Sequence, residues 1–217
     1  MKQIAVLGLS RFGTSVARSL ASMGVEVLGV DLNEETVNDF SRELTHTVQA
    51  DILDADALDT LGLQEFDVVV LCIKNIEISC LATIALKDHG ARYVVAQASG
   101  DAHAQILHRI GADKVIMPER DMGIRLAKSL ASNNIMDYME LSSTHSLLEM
   151  EVPEEWVDRS LIDCKIRNKY GLNVVAIRSG ADLRVSPTGD DVFRTGDIIV
   201  VVGENTVLDK FSSRKKR

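Results

Sequence analysis

The segment from Gly8 to Gly13, near the start of the chain, has the residue types of a phosphate-binding turn. In a G-x-G-x-x-G turn, the first glycine permits the tight turn, the second lets the backbone approach a pyrophosphate, and the third lets the following helix pack on the strand. The helix N-terminus adds free N–H groups and a partial positive charge. Ser10 takes the middle position, and its small hydroxyl can donate to a phosphate, so the motif predicts a weakened phosphate loop.

An acidic residue stands where such a loop needs one for the ribose. Asp31 closes the predicted second strand, 23 residues after Gly8, where a carboxylate can accept both ribose hydroxyls. Asn33 is a second candidate, and the acid disfavours a 2′-phosphate and therefore NADP. Two alternatives stay open: a Rossmann-like domain with an empty pocket, and Asp31 acting only as a charge at a helix N-terminus.

Arg11 places a cation inside the loop, beyond what a diphosphate needs. A guanidinium forms charge-assisted hydrogen bonds with phosphate oxygens. We expect it to reach a terminal phosphate of a bound or neighbouring nucleotide, and the alternative is an exposed, solvated arginine.

The elements that must position these residues are strands alternating with helices over the first 117 residues. Near-continuous apolar runs such as residues 68–73 are typical of strands covered on both faces, and alternation with helices predicts an α/β, doubly wound parallel sheet. The predicted strands are residues 3–7, 25–31, 47–50, 68–73, 93–97 and 114–117. Open α/β sheets bind ligands at the carboxyl ends of their strands. The further pocket candidates at those ends are Asp51, Ile52, Ile73, Lys74 and Gln97.

The pattern changes after a predicted helix at residues 121–131. Short strands and turns follow from Leu147 onward, which predicts a small α+β domain. We place a nucleotide-binding domain at residues 1–134 and a second, ligand-binding domain at residues 135–217, with the junction in the polar stretch 133–143.

Composition restricts the function classes. The 217 residues carry a formal net charge of −8, which argues against a nucleic-acid partner. The longest apolar run is far shorter than the roughly 20 residues of a membrane span. Three cysteines without a C-x-x-C spacing indicate reduced thiols, and with no signal-peptide pattern we expect a cytoplasmic protein.

The sequence shows no set of residues arranged for catalysis. A dehydrogenase needs a proton-transfer group near the nicotinamide, but the five histidines show no plausible relay partner, and we expect all of them, including His103 and His108, to be ordinary surface residues. The sequence predicts a binding protein rather than an enzyme. A small NAD-dependent oxidoreductase is the alternative.

Three segments of the chain resemble one family closely: residues 4–13, residues 25–31 and above all residues 110–123, with the run Pro118-Glu119-Arg120-Asp121-Met122-Gly123. That family is the RCK proteins, the TrkA-type regulatory subunits of bacterial Ktr and Trk potassium-uptake systems. Residues 161–163, 167–171 and 194–197 resemble its C-terminal domain.

The resemblance implies a non-enzymatic gating subunit with a Rossmann-like N-terminal domain, a crossover helix and a C-terminal RCK domain. Such subunits form homodimers that assemble into an octameric ring on the inner face of the membrane. The ring gates an integral-membrane potassium-translocating subunit of the KtrB or TrkH type. ATP against ADP, or NAD against NADH, are the regulatory ligands that the resemblance implies. A helix that exposes the apolar residues Ile124, Leu126, Ala127 and Leu130 suits exchange between protomers; ordinary packing on its own domain is the alternative.

Site residues also follow from the resemblance. Gly8, Arg11, Phe12 and Gly13 would hold the phosphates, with Arg11 reaching the γ-phosphate of a nucleotide in the adjacent subunit, and Asp31 would hold the ribose.

Two further ligands are implied. Glu119, beside its two-fold mate, would bind Mg²⁺, Ca²⁺ or Na⁺; the alternative is a first-turn acid that favours the helix dipole. Arg167, Asn173 and Pro187 match loosely the pattern that binds cyclic di-AMP in some members.

Overall fold

The computed structural model describes residues 2–131 and 135–212, and they form two compact units. The first unit extends to Arg120 and the second begins at Asp121. The predicted domain boundary at residue 134 falls outside the described residues, and the division stays a prediction.

The first unit is a six-stranded parallel sheet with the order β3-β2-β1-β4-β5-β6. Its strands are β1 (Gln3–Leu7), β2 (Glu26–Asp31), β3 (His46–Gln49), β4 (Val68–Leu71), β5 (Val94–Gln97) and β6 (Lys114–Ile116). Its helices are α1 (Arg11–Ser22), α2 (Glu34–Phe40), α3 (Ala55–Leu61), α4 (Ile76–Asp88) and α5 (Asp101–Arg109), with a 3₁₀ turn at Leu63–Glu65. The helix α6 (Pro118–Ala131) begins in this unit and continues into the second.

Alternating side chains of β1 enter two different cores. Ala5 and Leu7 are fully buried in one cluster, and Ile4 and Val6 are buried in another on the opposite face. Because successive residues of a strand point to opposite faces, both faces of the sheet are covered. The predicted doubly wound parallel sheet is confirmed.

The second unit is a five-stranded antiparallel sheet with the order β10-β9-β11-β8-β7. Its strands are β7 (Ile135–Glu140), β8 (His145–Glu151), β9 (Asn173–Ser179), β10 (Asp182–Val185) and β11 (Ile198–Glu204). Its other elements are α7 (Leu161–Cys164), α8 (Ile166–Tyr170), α9 (Asn205–Ser212) and a 3₁₀ turn at Glu154–Trp156. Its core is aromatic at the centre, where the rings of Trp156 and Phe193 stack with centroids 6.0 Å apart.

One strand lies where the sequence predicts only a junction. The segment 133–143 contains β7, which pairs with β8 from Ile135 to Glu140. Its pattern is weak because Met136 and Met139 are both about half exposed although they are apolar. Periodicity therefore gave little signal for this edge strand.

Candidate functional site

Neighbouring backbone atoms approach Gly8 and Gly13 so closely that both positions require glycine. Gly8 has φ +88°, and a Cβ there would lie 3.0 Å from the Cys72 carbonyl oxygen and from Ile73 Cγ1. A Cβ on Gly13 would lie only 2.0 Å from the Gly8 carbonyl oxygen. Real Cβ atoms do not approach backbone so closely, so any side chain at Gly13 must displace the loop. These are the tight turn and the close helix-strand packing that the motif predicts.

Ser10 begins the helix that follows the loop. Its hydroxyl oxygen accepts from the Gly13 N–H at 3.4 Å, and the hydroxyl donates to the Cys72 carbonyl at 3.4 Å. The side chain is thus the N-cap of α1, in the extended conformation typical of caps. A residue predicted to contact phosphate also holds the helix N-terminus in place.

Asp31 joins the second strand to the loop. Its Oδ2 accepts from the Leu9 N–H at 2.7 Å, and its Oδ1 accepts from the Asn33 N–H at 2.9 Å. Each carboxylate oxygen retains a further lone pair that a ribose hydroxyl can use. The Asn33 side chain caps α2 by accepting from the Thr36 N–H at 3.2 Å.

The remaining loop residues differ in exposure. Arg11 is the first residue of α1 and is exposed, so its guanidinium can reach a ligand beyond the loop. Phe12 is half-buried and packs against the cluster beneath α1.

Of the candidates at the other strand ends, some reach the loop and some do not. Ile73 lies directly against Gly8, as the distance above shows. Ile52 is 6% exposed and belongs to the core, so the structure gives it a packing role. The Asp51 carboxylate accepts from the Leu53 N–H at 2.9 Å in a local turn after β3.

Lys74, Gln97 and Glu119 meet at the carboxyl edge of the sheet. Lys74 Nζ lies 2.6 Å from Glu119 Oε1, and Gln97 Nε2 donates to both carboxylate oxygens at 3.3 Å. The hydrogen bond from Lys74 is the largest cause that holds the pKa of Glu119 below its usual range. All three residues are among the sequence candidates, but their contact depends on the order of β4, β5 and β6 in the sheet, of which their places near the ends of successive predicted strands are only a partial signal.

The predicted metal ligand does not form a metal site in one chain. Among the described residues, no group of three or more His, Cys, Asp and Glu side chains could hold a metal ion. Glu119 is a single carboxylate whose partner is already a cation. The predicted site takes its second carboxylate from the two-fold mate of Glu119, and it stays a prediction.

The expectation for the histidines is wrong for His103. This residue is 2% exposed, and its Nδ1 accepts from the Ser99 N–H at 3.1 Å. The proton of the neutral ring then sits on Nε2, which is buried and has no hydrogen-bond partner within the described residues. Burial lowers the pKa of His103. His108, on the same helix, is exposed as predicted.

The cysteines are free thiols. Burial raises the pKa of the Cys72 thiol to about 12, which leaves it protonated and unreactive at neutral pH.

The candidate residues of the second unit come from separate stretches of the chain. Arg167 is exposed on the short α8, Asn173 is exposed at the first position of β9, and Pro187 follows β10. A cavity of about 300 Å³ lies beside Asn173 and is lined also by Tyr170 and Gly203. Neither Arg167 nor Pro187 lines it.

None of the helices in the described part of the chain combines the length and the apolar character needed to cross a bilayer.

Comparisons with known proteins agree in both units. The chain matches the TrkA-N domain over residues 4–118 and the TrkA-C domain over residues 147–216. It is 41% identical over 214 residues to the Ktr system potassium uptake protein C of Bacillus subtilis (strain 168), covering 98% of this chain and 97% of the relative. It is 38% identical over 213 residues to the Ktr system potassium uptake protein A of the same organism, covering 98% and 96%.

Solved structures share the fold. The GsuK channel bound to NAD matches with a TM-score of 0.72 at 14% identity, covering 100% of this chain and 40% of that chain. This chain therefore spans less than half the length of the channel chain, and at this identity the likeness shows the fold alone.

Proposed function

The chain belongs to the family of Ktr potassium uptake proteins built from a TrkA-N and a TrkA-C domain, and from this premise we propose that it is the nucleotide-responsive regulatory subunit of a potassium-uptake system. In this proposal the first unit binds ATP or ADP, or NAD(H), and the bound nucleotide sets the activity of an integral-membrane potassium-translocating subunit. The protein acts in the cytoplasm, on the inner face of the membrane.

The arrangement of the phosphate loop is the observation that carries this proposal. Gly8 and Gly13 leave no room for side chains, Ser10 caps the helix that points its N-terminus at the loop, and Asp31 is held 2.7 Å from the Leu9 nitrogen. A helix N-terminus with free N–H groups attracts phosphate, and a carboxylate at the end of the second strand binds ribose.

A regulatory role is favoured over the oxidoreductase alternative. His103, the buried histidine, has its Nδ1 engaged by the Ser99 backbone, and the Cys72 thiol is held protonated by burial. Neither supplies a proton relay or a nucleophile. The relatives are named for potassium uptake rather than for a reaction.

Exposed apolar side chains on α6 support a homodimer. Met122, Leu126 and Leu130, at i, i+4 and i+8, share one side of the helix and are 59%, 56% and 77% exposed. Exposed apolar side chains grouped in this way mark an interaction surface. We propose that this side of α6 packs on a second copy of the chain, and that dimers assemble into the octameric ring implied by the family resemblance.

The second unit is proposed to bind a separate regulatory ligand. Cyclic di-AMP is the candidate from the sequence, with Arg167, Asn173 and Pro187 as its contacts. We propose that a second copy of the chain completes the site, because Arg167 and Asn173 are exposed in one chain.

Calorimetric titration of the full chain with ATP, ADP and NADH tests the proposal, with light scattering on the same samples to follow assembly size. We expect saturable nucleotide binding and a different scattering mass or shape with ATP than with ADP. Incubation with NADH and a panel of carbonyl compounds is the parallel control. Turnover of NADH with any of them would overturn the regulatory assignment in favour of the oxidoreductase.

A further inference from the structure

Lys74 already pairs with one carboxylate oxygen of Glu119. Its Nζ is 2.6 Å from Glu119 Oε1, a distance typical of a direct charge-assisted hydrogen bond. We infer that Lys74 is the built-in cation of this edge of the sheet and keeps divalent metal ions off Glu119.

The buried side chain of Gln97 holds the Glu119 carboxylate in place for this pairing. Gln97 is 1% exposed, so the core fixes its position, and its Nε2 donates to both oxygens of Glu119 at 3.3 Å. Glu119 itself is more than half exposed, and so is Lys74. The carboxylate is therefore oriented by a buried amide and neutralised by a solvent-accessible ammonium.

A divalent ion and the Lys74 ammonium would repel each other if both were bound to the Glu119 carboxylate. Calcium binds carboxylate oxygens at about 2.3–2.6 Å, the same distance at which the ammonium already sits. Two cations on one carboxylate would be a few ångströms apart and would repel each other. Removal of the ammonium leaves an oriented, accessible carboxylate at the site.

The position of Lys74 near the phosphate loop relates the exclusion of metal ions to nucleotide binding. This part of the inference rests on the proposed function. Lys74 directly follows Ile73, whose Cγ1 would touch a Cβ on Gly8 of the phosphate loop. An anionic nucleotide next to a free carboxylate would need a counter-charge. Lys74 supplies that charge from within the chain, where a metal ion would otherwise be needed.

Calcium titration of the nucleotide-free full chain tests the inference, so that a failure of nucleotide binding would leave the test intact. The variants are Lys74→Met, which keeps the aliphatic stem, and Lys74→Met combined with Glu119→Gln. Lys87→Met is the matched control, because Lys87 forms a similar pair with Asp113 at 3.0 Å in the same unit. Calorimetry and calcium-induced shifts of the melting temperature are the readouts, and melting without calcium checks that each variant folds.

We expect Lys74→Met to bind calcium at least tenfold more tightly than the native chain. The added Glu119→Gln change should abolish this gain, and Lys87→Met should bind calcium as the native chain does. Equal calcium binding by the native chain and by Lys74→Met would overturn the inference. So would a gain that survives Glu119→Gln or that appears equally in Lys87→Met.

Discussion

In the first unit, the phosphate loop is fixed by contacts with β2 and with the segment after β4, whereas in the second unit the candidate ligand residues lie on α8, on β9 and after β10. The Gly8 N–H donates to the Val30 carbonyl at 2.8 Å, and the Leu9 N–H donates to Asp31. Arg167 and Asn173, by contrast, are exposed side chains on α8 and β9. The phosphate loop is therefore held in place by contacts within one chain, whereas Arg167 and Asn173 of the second unit present exposed side chains.

Gly13→Ala gives the largest effect expected in this comparison. The new Cβ would lie 2.0 Å from the Gly8 carbonyl oxygen, so the loop must move. Overpacking of this kind costs about 1–3 kcal/mol of the free energy of unfolding. We expect a loss near the upper end and no measurable binding of ATP by calorimetry.

Gly123→Ala is the control for that variant, because a Cβ at Gly123 in α6 meets nothing within 4 Å. It should leave stability unchanged or raise it by up to about 1 kcal/mol. Native ATP affinity in Gly13→Ala would contradict the assignment of the loop.

Arg11→Ala should weaken ATP binding more than ADP binding. A hydrogen bond to a charged group is worth about 1.5–3 kcal/mol, which corresponds to roughly a tenfold to hundredfold loss in affinity. Calorimetry with both nucleotides measures the difference. Arg92→Ala is the matched control, since Arg92 pairs with Glu65 before β5, at the end of the strands away from the loop. Equal losses for ATP and ADP would rule out contact between Arg11 and a terminal phosphate.

His103 should make the first unit sensitive to acid. Its pKa is lowered by burial, so the unfolded chain takes up a proton at about pH 6.5 while the folded chain does not. The stability it contributes is present above that pH and is lost as the pH falls toward the lowered folded pKa. Chemical denaturation between pH 7.5 and pH 5 should show this loss in the native chain and in His108→Leu, but less of it in His103→Leu. The same pH dependence in all three proteins would show that another group is responsible.

Arg167→Ala should have the smallest effect. Arg167 is exposed, and surface substitutions usually change stability by less than about 0.5 kcal/mol. We expect unchanged melting and unchanged ATP affinity, but loss of cyclic di-AMP binding if that ligand uses the second unit. A large change in ATP affinity would contradict the claim that the two sites bind their ligands independently.

The sequence predicted those features that depend on local pattern. The strands of the first sheet follow from buried apolar runs such as β4, and the loop follows from Gly8, Gly13 and Asp31 at a characteristic spacing. The edge strand β7 was missed because its exposed methionines break the alternation.

Contacts between distant residues could not be predicted. Lys74 and Glu119 are far apart in the chain, and only the parallel order of β4, β5 and β6 brings them together. His103 is buried on the same side of α5 as Ala104 and Leu107, and it accepts a hydrogen bond from the Ser99 backbone that helix periodicity does not reveal.

Hydrogen exchange of the full chain with and without ATP tests most directly whether the phosphate loop binds nucleotide. Backbone N–H groups at the start of α1 become hydrogen-bonded to phosphate in this account, so their exchange should slow. We predict protection of residues 8–14 and of the segments around Asp31 and Ile73, with little change in the second unit. Binding of ATP without protection of residues 8–14 would contradict the account.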